Sequence, residues 1–454
     1  MLYLRIGLAV FIRIGLAVLF LGSGTAPFSV GPALAAPRAI SAASPAAATR
    51  WVYQTIATGD TPSLAIDPTR GRADVSYDVS GSDDLHAAFQ LRTGGNCGTG
   101  NAWACGTVDS NGNVGADSSI AVNPLTGLPA IAYDDLTHNN IKFAQYSCNG
   151  NLCIWSSSTL DGLNQTLFQP SLRFDVLGKP HIAYARVQPS AALKIASFLG
   201  NGAGNCGLNS DWRCDVVESG GAVGNFLSLA VDGSNAPHIA YQEDFSGTLK
   251  YAHFVGSGGA GCSGGTLGST WQCDIIDGAG IGTTHTVGAH VSLYVNPTGS
   301  PKPQIAYFDG NLNSLRYASE GGASPNCGPA LAWSCIGIGA MGDSPVPSIS
   351  IAADSAGAPY IAYRNFTDQA NSTLKLATPG LFGNCGPLLF GFRTWSCATI
   401  DDGHVFLSYH DVGQSPGIAL NSAGLLRVVY QDTTNGSVRY AEQQLQTFLP
   451  LIAR

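Results

Sequence analysis

The sequence predicts an all-β fold, a seven-bladed β-propeller built from four-stranded blades. Three observations predict it: a motif ending in tyrosine recurs seven times, all seven tryptophans follow the same period, and the twelve cysteines form six close pairs. Composition agrees, because 57 glycines and a charged fraction of 11% do not fit a coiled coil or helical bundle. An apolar fraction of 45% also argues against a disordered chain.

The chain opens with a segment, residues 1–36, that has the features of a secretory signal peptide. Arg5 and Arg13 precede the apolar run Ile14 to Leu21, and Ala33-Leu34-Ala35 offers a small-x-small cleavage site. An uncleaved membrane anchor is the alternative, although Arg13 interrupts the apolar stretch that a span requires. Residues 37–50 are predicted to be a flexible linker. We therefore expect an exported protein, secreted or held at the cell surface.

Two motifs define the first two strands of each blade. Strand A carries Ser-Leu-Ala-Val-Asp or a variant, and strand B carries Pro-His-Ile-Ala-Tyr or a variant. Glycine, proline and asparagine join them, which indicates a β-hairpin. The A motif starts at Ser63, Ser119, Ser171, Ser228, Ser292, Ser348 and Gly417. The B motif ends at Tyr77, Tyr133, Tyr184, Tyr241, Tyr307, Tyr363 and Tyr430.

Strands C and D complete each blade. Strand C has sequences such as Leu249-Lys250-Tyr251-Ala252, and strand D carries the tryptophan. Four strands within tyrosine spacings of 51 to 67 residues are typical of a propeller blade. A basic residue recurs on strand C, where we expect it to prevent sheet-to-sheet pairing. These basic residues are Lys142, Lys194, Lys250, Arg316, Lys375 and Arg439.

The order of the motifs predicts how the ring closes. Trp51-Val52-Tyr53 is a strand D with no preceding A, B or C, whereas the chain ends with A, B and C of a seventh blade. Residues 51–58 should therefore pair with residues 437–444, so that the propeller spans 51–444. The apolar tail, 445–454, is left with two interpretations: surface attachment, or packing against the ring.

The cysteines fit the same arrangement, with one pair across each C–D hairpin that is continuous in sequence. Export favours disulfides over a zinc site, and no Cys-x-x-Cys or Cys–His cluster with ligand spacing is present. Loops this short make each bridge worth about 2–3 kcal/mol. The predicted pairs are Cys97–Cys105, Cys148–Cys153, Cys206–Cys214, Cys262–Cys273, Cys327–Cys335 and Cys385–Cys397.

These blades resemble those of secreted bacterial β-propeller repeat proteins with Ser-Leu-Ala-Val-Asp…Pro-His-Ile-Ala-Tyr motifs. Their organisation is similar to sialidase-like and propeller-lectin folds. The resemblance covers nearly the whole chain after the leader, and it implies architecture rather than a particular chemistry.

The face formed by the D–A and B–C loops is where we expect a ligand, since it surrounds the central channel and its residues vary between blades. The ends of the B strands place polar residues there: Asp78, Asp134, Asp135, Arg186, Glu243, Asp244, Asp309, Arg364, Asn365 and Asp432. Two long D–A loops, 277–289 and 401–416, add further candidates within the loops or, for His290, directly after one. These candidates are His285, His290, His404, Tyr409, His410 and Asp411. Sugar binding, a metal site and unliganded loop histidines are all compatible with these residues.

These observations predict an exported, non-catalytic binding protein for glycans or another extracellular macromolecule. A carbohydrate-active hydrolase or lyase using the rim carboxylates is one alternative, and a structural scaffold for protein interactions is another. We expect no cofactor and no metal. The net charge of −8 and the lack of a basic patch argue against nucleic acid. We further expect a monomer with no membrane span after signal cleavage.

Overall fold

The computed structural model describes residues 49–91, 93–150, 152–162, 165–278, 286–322, 325–342, 347–366 and 371–446. The predicted signal peptide, nearly all of the linker and tail, and His285 lie outside these residues. The described residues form seven four-stranded antiparallel sheets and one small two-stranded hairpin. Among them, no helix is long and apolar enough to cross a membrane.

The strands follow the chain in the predicted order. Strand β1 spans Thr49–Thr58. Blade 1 contains β2 (Asp60–Ile66), β3 (Ala73–Val79), β4 (Asp84–Gln90) and β5 (Trp103–Asp109). Blade 2 contains β6 (Val114–Val122), β7 (Pro129–Asp135), β8 (Asn140–Asn149) and β9 (Leu152–Asp161). Blade 3 contains β10 (Thr166–Phe174), β11 (Pro180–Gln188), β12 (Ala192–Phe198) and β13 (Trp212–Ser219).

Blade 4 contains β14 (Val223–Val231), β15 (Pro237–Glu243), β16 (Thr248–Phe254) and β17 (Trp271–Asp277). Blade 5 contains β18 (Val287–Val295), β19 (Pro303–Asp309), β20 (Ser314–Glu320) and β21 (Trp333–Ala340). Blade 6 contains β22 (Ile349–Ala353), β23 (Pro359–Asn365), β24 (Thr373–Leu389) and β25 (Phe392–Asp401). The small hairpin is β26 (His404–Val405) with β27 (Ser408–Tyr409), and blade 7 contains β28 (Val412–Leu420), β29 (Leu426–Asp432) and β30 (Ser437–Leu445). Single 3₁₀ turns lie in four C–D connections, at Thr99–Asn101, Leu208–Ser210, Gly268–Thr270 and Pro329–Leu331.

The ring closes as the sequence predicts. The A strands contact one another in sequence order, and β28 returns to contact β2. Strand β1 joins blade 7 as its outer strand, with Thr49 opposite Leu445 and Thr58 opposite Ser437. The fold-class prediction is therefore confirmed, and all six predicted disulfides are formed.

The serine that opens the A motif links neighbouring blades. Its hydroxyl accepts a hydrogen bond from a backbone N–H in strand A of the next blade, as when Ser171 accepts from Leu229 at 3.1 Å. The hydroxyls that act in this way belong to Ser63, Ser119, Ser171, Ser228, Ser292 and Ser350. The sixth motif thus starts at Ser350, and the prediction of Ser348 was wrong by two residues. Gly417 occupies the seventh position, where a Cβ would come within 3.1 Å of Leu64 and Val429.

Five of the basic residues of the C strands are buried or half-buried and pair with an acid of the preceding blade, so the prediction that they protect sheet edges was wrong. Lys142 of blade 2 pairs with Asp109 at the end of blade 1, and the Tyr133 hydroxyl donates to the same carboxylate at 2.6 Å. Burial raises the pKa of Asp109, but the hydrogen bonds from Lys142 and Tyr133 outweigh it and leave the pKa below its ordinary value. The same trio of tyrosine, acid and cation recurs around Asp161, Glu218, Asp277 and Asp401.

The tryptophans of the D strands pack against the preceding blade. The Trp212 ring, for example, lies edge-on to Phe143 of blade 2, with centroids 5.1 Å apart. Gly207 follows the first cysteine of its pair and has a φ of +73°. A Cβ at Gly207 would lie 2.5 Å from Trp212 Cδ1, so only glycine lets the C–D connection cover the indole. The disulfide then ties this connection to strand D.

We predict that Gly207→Ala destabilises the protein by about 1–3 kcal/mol, because the new methyl must displace the Trp212 ring in addition to straining the backbone. Gly202→Ala is the matched control: its φ is +67°, but its nearest neighbouring atom lies at 3.5 Å. Denaturant unfolding of both variants would separate the two costs. Equal losses would contradict a role for the tryptophan contact.

We predict that Lys142→Met lowers the free energy of unfolding by about 3 kcal/mol at pH 7, since it leaves the buried Asp109 carboxylate without its cation. Because the folded pKa of Asp109 lies below its unfolded value, its contribution is present above pH ~4 and is lost as the pH falls. The deficit of the variant should therefore shrink in acid. Denaturant unfolding at two pH values measures both effects.

Lys179→Met, which changes an exposed turn residue, is the control for this measurement. Adding Asp109→Asn to Lys142→Met should restore part of the lost stability, because it removes the unpaired charge. A loss equal to that of Lys179→Met would show that the ion pair contributes nothing.

Candidate functional site

A ring of side chains surrounds the mouth of the central channel. They lie two residues before each of the six inter-blade serines, and before Gly417 in blade 7, and line a cavity of about 250 Å³. Register shifts mark a β-bulge there in strands A of blades 1–5 and 7. Such bulges re-aim side chains, and here they give non-glycine residues a positive φ in five blades. The ring residues are Thr61, Asp117, Gln169, Phe226, His290, Ser348 and Ser415.

An aromatic sector lies on blades 3 to 5. The rings of Phe226 and His290 are 4.3 Å apart between centroids and tilted by 37°. Gln169 Oε1 accepts from the Phe226 N–H at 2.9 Å, which leaves the amide NH₂ able to donate. Burial lowers the pKa of His290 to about 4, so the imidazole is neutral at pH 7. This sector combines two ring faces with neutral hydrogen-bonding groups.

An acidic sector lies on blades 1 and 2. Asp117 lines the mouth, and its N–H donates to Asp134 Oδ1 at 3.0 Å. Asp134 is 1% exposed; burial and the neighbouring Asp117 raise its pKa to about 7. Burial raises the pKa of Asp117, and burial with the carboxylates of Asp60 and Asp83 raises that of Asp78 to about 7. Perturbed carboxyls grouped at a channel are typical of functional sites.

Arg364 forms a third sector on the blade 6 side of the same face. Its guanidinium is buried, donates to Ser372 at 3.0 Å and to Gln414 at 2.8 Å, and lies 4.6 Å from the centroid of the Phe366 ring. Burial lowers its pKa, against the opposing effect of Asp411. Arg364 therefore ties blade 6 to the start of strand A in blade 7.

The long loop before blade 7 forms a hairpin whose tip is exposed. The rings of His404 and Tyr409 face each other across it, with centroids 5.0 Å apart. Phe406 and Leu407 at the tip are 92% and 97% exposed. This hairpin belongs to a D–A connection, so it lies on the same face as the channel mouth.

Other predicted residues are engaged in the turns of that face. Asp135, Glu243 and Asp309 accept backbone N–H groups of their own B–C turns. Arg186 donates to the Ser190 carbonyl at 2.8 Å. His410 is bonded to Asp432 at 2.9 Å, and Asp411 accepts from the Ser372 N–H at 2.7 Å. These contacts give each side chain a role in shaping the loops.

The ring at the mouth contains residues that the sequence analysis did not select, above all Asp117, Gln169 and Phe226. A signal for them exists: when the A motifs are aligned on their serines, the position two residues earlier holds Thr, Asp, Gln, Phe, His, Ser and Ser. His290 was selected and lies in this ring. Within the described ranges, no three His, Cys, Asp or Glu side chains are grouped to hold a metal ion.

Comparisons with known proteins found no matching family model and no significantly matching curated protein. Solved structures of related shape include AofleA from Arthrobotrys oligospora, with 10% identity, a TM-score of 0.43 and coverage of 78% of this chain and 91% of that one. A protein of unknown function from Dyadobacter fermentans has 10% identity, a TM-score of 0.44 and coverages of 88% and 99%. A polysaccharide lyase, the PL25 ulvan lyase, has 11% identity, a TM-score of 0.47 and coverages of 87% and 96%. Likenesses this distant carry no argument about function.

We predict that Asp134→Asn stabilises the protein at pH 8, by on the order of 3 kcal/mol, and has little effect near pH 4. The folded pKa of about 7 lies above the unfolded value of 3.8, so the carboxyl costs stability as the pH rises between these values. Asparagine keeps the acceptor for the Asp117 N–H. Denaturant unfolding across this range is the measurement, with exposed Asp402→Asn as control. A gain independent of pH would refute the raised pKa.

Proposed function

We propose that this protein is an exported binding propeller that recognises a glycan at the mouth of its central channel. The observation that carries the proposal is the ring of bulged A-strand residues. Five blades share a positive φ at this position, while the side chain changes from blade to blade. Residues that pack the blades do not vary in this way, as the seven buried B-strand tyrosines show.

The chemistry of the ring suits a sugar. Phe226 and the neutral His290 offer ring faces for C–H surfaces, while Gln169, Asp117 and the hydroxyls of Thr61, Ser348 and Ser415 can fix sugar hydroxyls. The cavity volume of about 250 Å³ is large enough to hold one sugar residue. The hairpin with His404 and Tyr409 supplies a second aromatic pair on the same face, suited to a longer chain.

Export and monomeric binding belong to the same proposal. Six disulfides are typical of an oxidising compartment, and the leader has the features of a signal peptide. We propose that the protein acts as a monomer, secreted or at the cell surface, on a glycan rather than on nucleic acid. An extracellular protein partner on the same face is the alternative ligand.

A carbohydrate-cleaving activity is the second candidate, and the raised pKa values of the acidic sector favour it. A carboxyl that keeps its proton near neutral pH can act as a general acid on a glycosidic oxygen. Asp117 opens onto the cavity, and Asp134 lies directly behind it. In this candidate Asp117 would contact the substrate, whereas Asp134 would be a positioning residue.

We predict that a glycan array on the purified protein identifies a bound oligosaccharide, and that Phe226→Ala or His290→Ala weakens its binding about tenfold or more, through loss of ring contacts worth about 1–3 kcal/mol. Phe390→Ala is the matched control, because this 93% exposed phenylalanine lies in the C–D connection of blade 6, away from the face with the mouth. His404→Ala and Tyr409→Ala test the hairpin. Equal effects of Phe226→Ala and Phe390→Ala would rule out the mouth as the site.

Product analysis of each bound glycan separates binding from catalysis. Binding without products supports the binding propeller. Products that disappear in Asp117→Asn, with binding retained, would establish the enzyme instead. If no glycan binds, a protein partner becomes the better interpretation.

A further inference from the structure

One A motif departs from the others in its third residue. Five blades have alanine there, at 65, 121, 230, 352 and 419, and blade 5 has Tyr294, but blade 3 has Arg173. Arg173 lines a deeper chamber of the channel, about 300 Å³ in volume, to which all seven blades contribute. Arg173 thus lines the chamber, whereas the alanines and Tyr294 at the equivalent position of the other blades are not among its lining residues.

The Arg173 guanidinium has one hydrogen bond, from Nη1 to the backbone carbonyl of Leu172 at 2.7 Å. None of the ion pairs of the described chain includes it. Burial lowers its pKa, with no opposing carboxylate. A guanidinium has five N–H groups, so most of its donors have no protein acceptor among the described residues, and the side chain lines the chamber.

Other buried or half-buried arginines of the ring have acceptors within the protein. Arg316 lies 3.0 Å from the Asp277 carboxylate, and Arg427 lies 2.7 Å from that of Glu442. Arg364 has two side-chain acceptors and a nearby Asp411. Arg173 is half-buried in the chamber wall, and among the described residues no carboxylate balances its charge, which points to a ligand that supplies the counter-charge.

The rest of the chamber is suited to an anion. The residues lining it include Ser63, Ser119, Ser171, Ser292 and Ser350, and no acidic residue among those described. Each of these hydroxyls accepts a backbone N–H from the next blade, and its own proton remains to be donated. The chamber therefore presents a cation and several hydroxyl donors to whatever enters it.

We propose that Arg173 and the serine hydroxyls around it bind an oxyanion, a carboxylate, sulfate or phosphate group, inside the central channel. The group is either a free inorganic anion or an acidic substituent of a larger ligand held at the mouth. A guanidinium offers the paired N–H geometry that such groups accept. The site needs no glycan, so it goes beyond the function proposed above.

Titration of the purified protein with sodium sulfate and with phosphate, in a zwitterionic buffer low in chloride, tests the free anion. Calorimetry should show saturable binding of one anion per chain. Arg173→Ala should weaken it at least tenfold, and Arg173→Lys should weaken it less. Because five blades carry alanine at this position, Arg173→Ala is expected to fold. At roughly 100 times the dissociation constant, the anion should raise the Tm of the wild type by about 3 °C more than that of Arg173→Ala.

Two controls separate the site from general salt effects. Arg213→Ala removes an exposed arginine and should leave the titration unchanged, although sulfate stabilises most proteins to some degree. In the low-anion buffer, Arg173→Ala should be at least as stable as the wild type, because it removes an unpaired charge. A marked loss of stability there would indicate a structural role and overturn the proposal.

A second arm compares acidic oligosaccharides, uronic or sulfated, with neutral ones of the same length. If only the acidic oligosaccharide binds in an Arg173-dependent manner, the anion is a substituent of the ligand. If sulfate binds and no glycan does, this site stands while the proposed function fails. If neither inorganic anions nor acidic oligosaccharides distinguish the wild type from Arg173→Ala, the site does not exist.

Discussion

The pairing of β1 with β30 is the constraint on which the ring depends, because it places both ends of the described chain in one blade. The junction between blades 7 and 1 also lacks the serine link found at the other six, since Gly417 has no hydroxyl to accept from Leu64. Polar contacts between other strands of these two blades take the place of that hydrogen bond. Arg427 bridges Gln90 and Glu442, and Trp103 Nε1 donates to Gln54 of β1 at 2.8 Å. Releasing β1 would remove the hydrogen bond between Trp103 and Gln54 from these contacts.

The repeat is uniform where blades meet and diverse where they surround the channel. The tyrosines, serines and tryptophans between blades each need one complementary neighbour. The same residue therefore recurs from blade to blade, except that Gly417 replaces the serine in blade 7. At the bulge, by contrast, Thr61, Gln169, Phe226, His290 and Ser415 all have φ values between +41° and +54°. That conformation costs about 1 kcal/mol or more per residue, and glycine would avoid the cost. Five side chains therefore face the channel mouth at a conformational cost that glycine would not carry.

The sequence predicted the features that repeat along the chain, and it missed those that join different blades. Strand order, ring closure and the cysteine pairs follow from motif order alone. The link from Lys142 to Asp109 was not visible, because it joins a C strand to the previous blade and both residues fit an exposed surface pattern. The bulge was hidden for a related reason, since no glycine marks its positive φ. The motif of blade 6 was misplaced because Ser348-Ile349-Ser350 offers two serines with the same alternation.

The electrostatics of the molecule follow from this division. Between blades, an acid at the end of one blade pairs with a basic residue on strand C of the next. The repeat places five such pairs around the ring. Around the chamber of Arg173 the described lining holds no such partner, since the other residues there are serines, prolines, glycine and aliphatic side chains. One changed residue can therefore put an unbalanced charge into the channel without disturbing the packing between blades. The carboxyl groups with raised pKa at the mouth, and Arg173 below them, are such changes. Both lie where a ligand can supply the counter-charge that the protein does not.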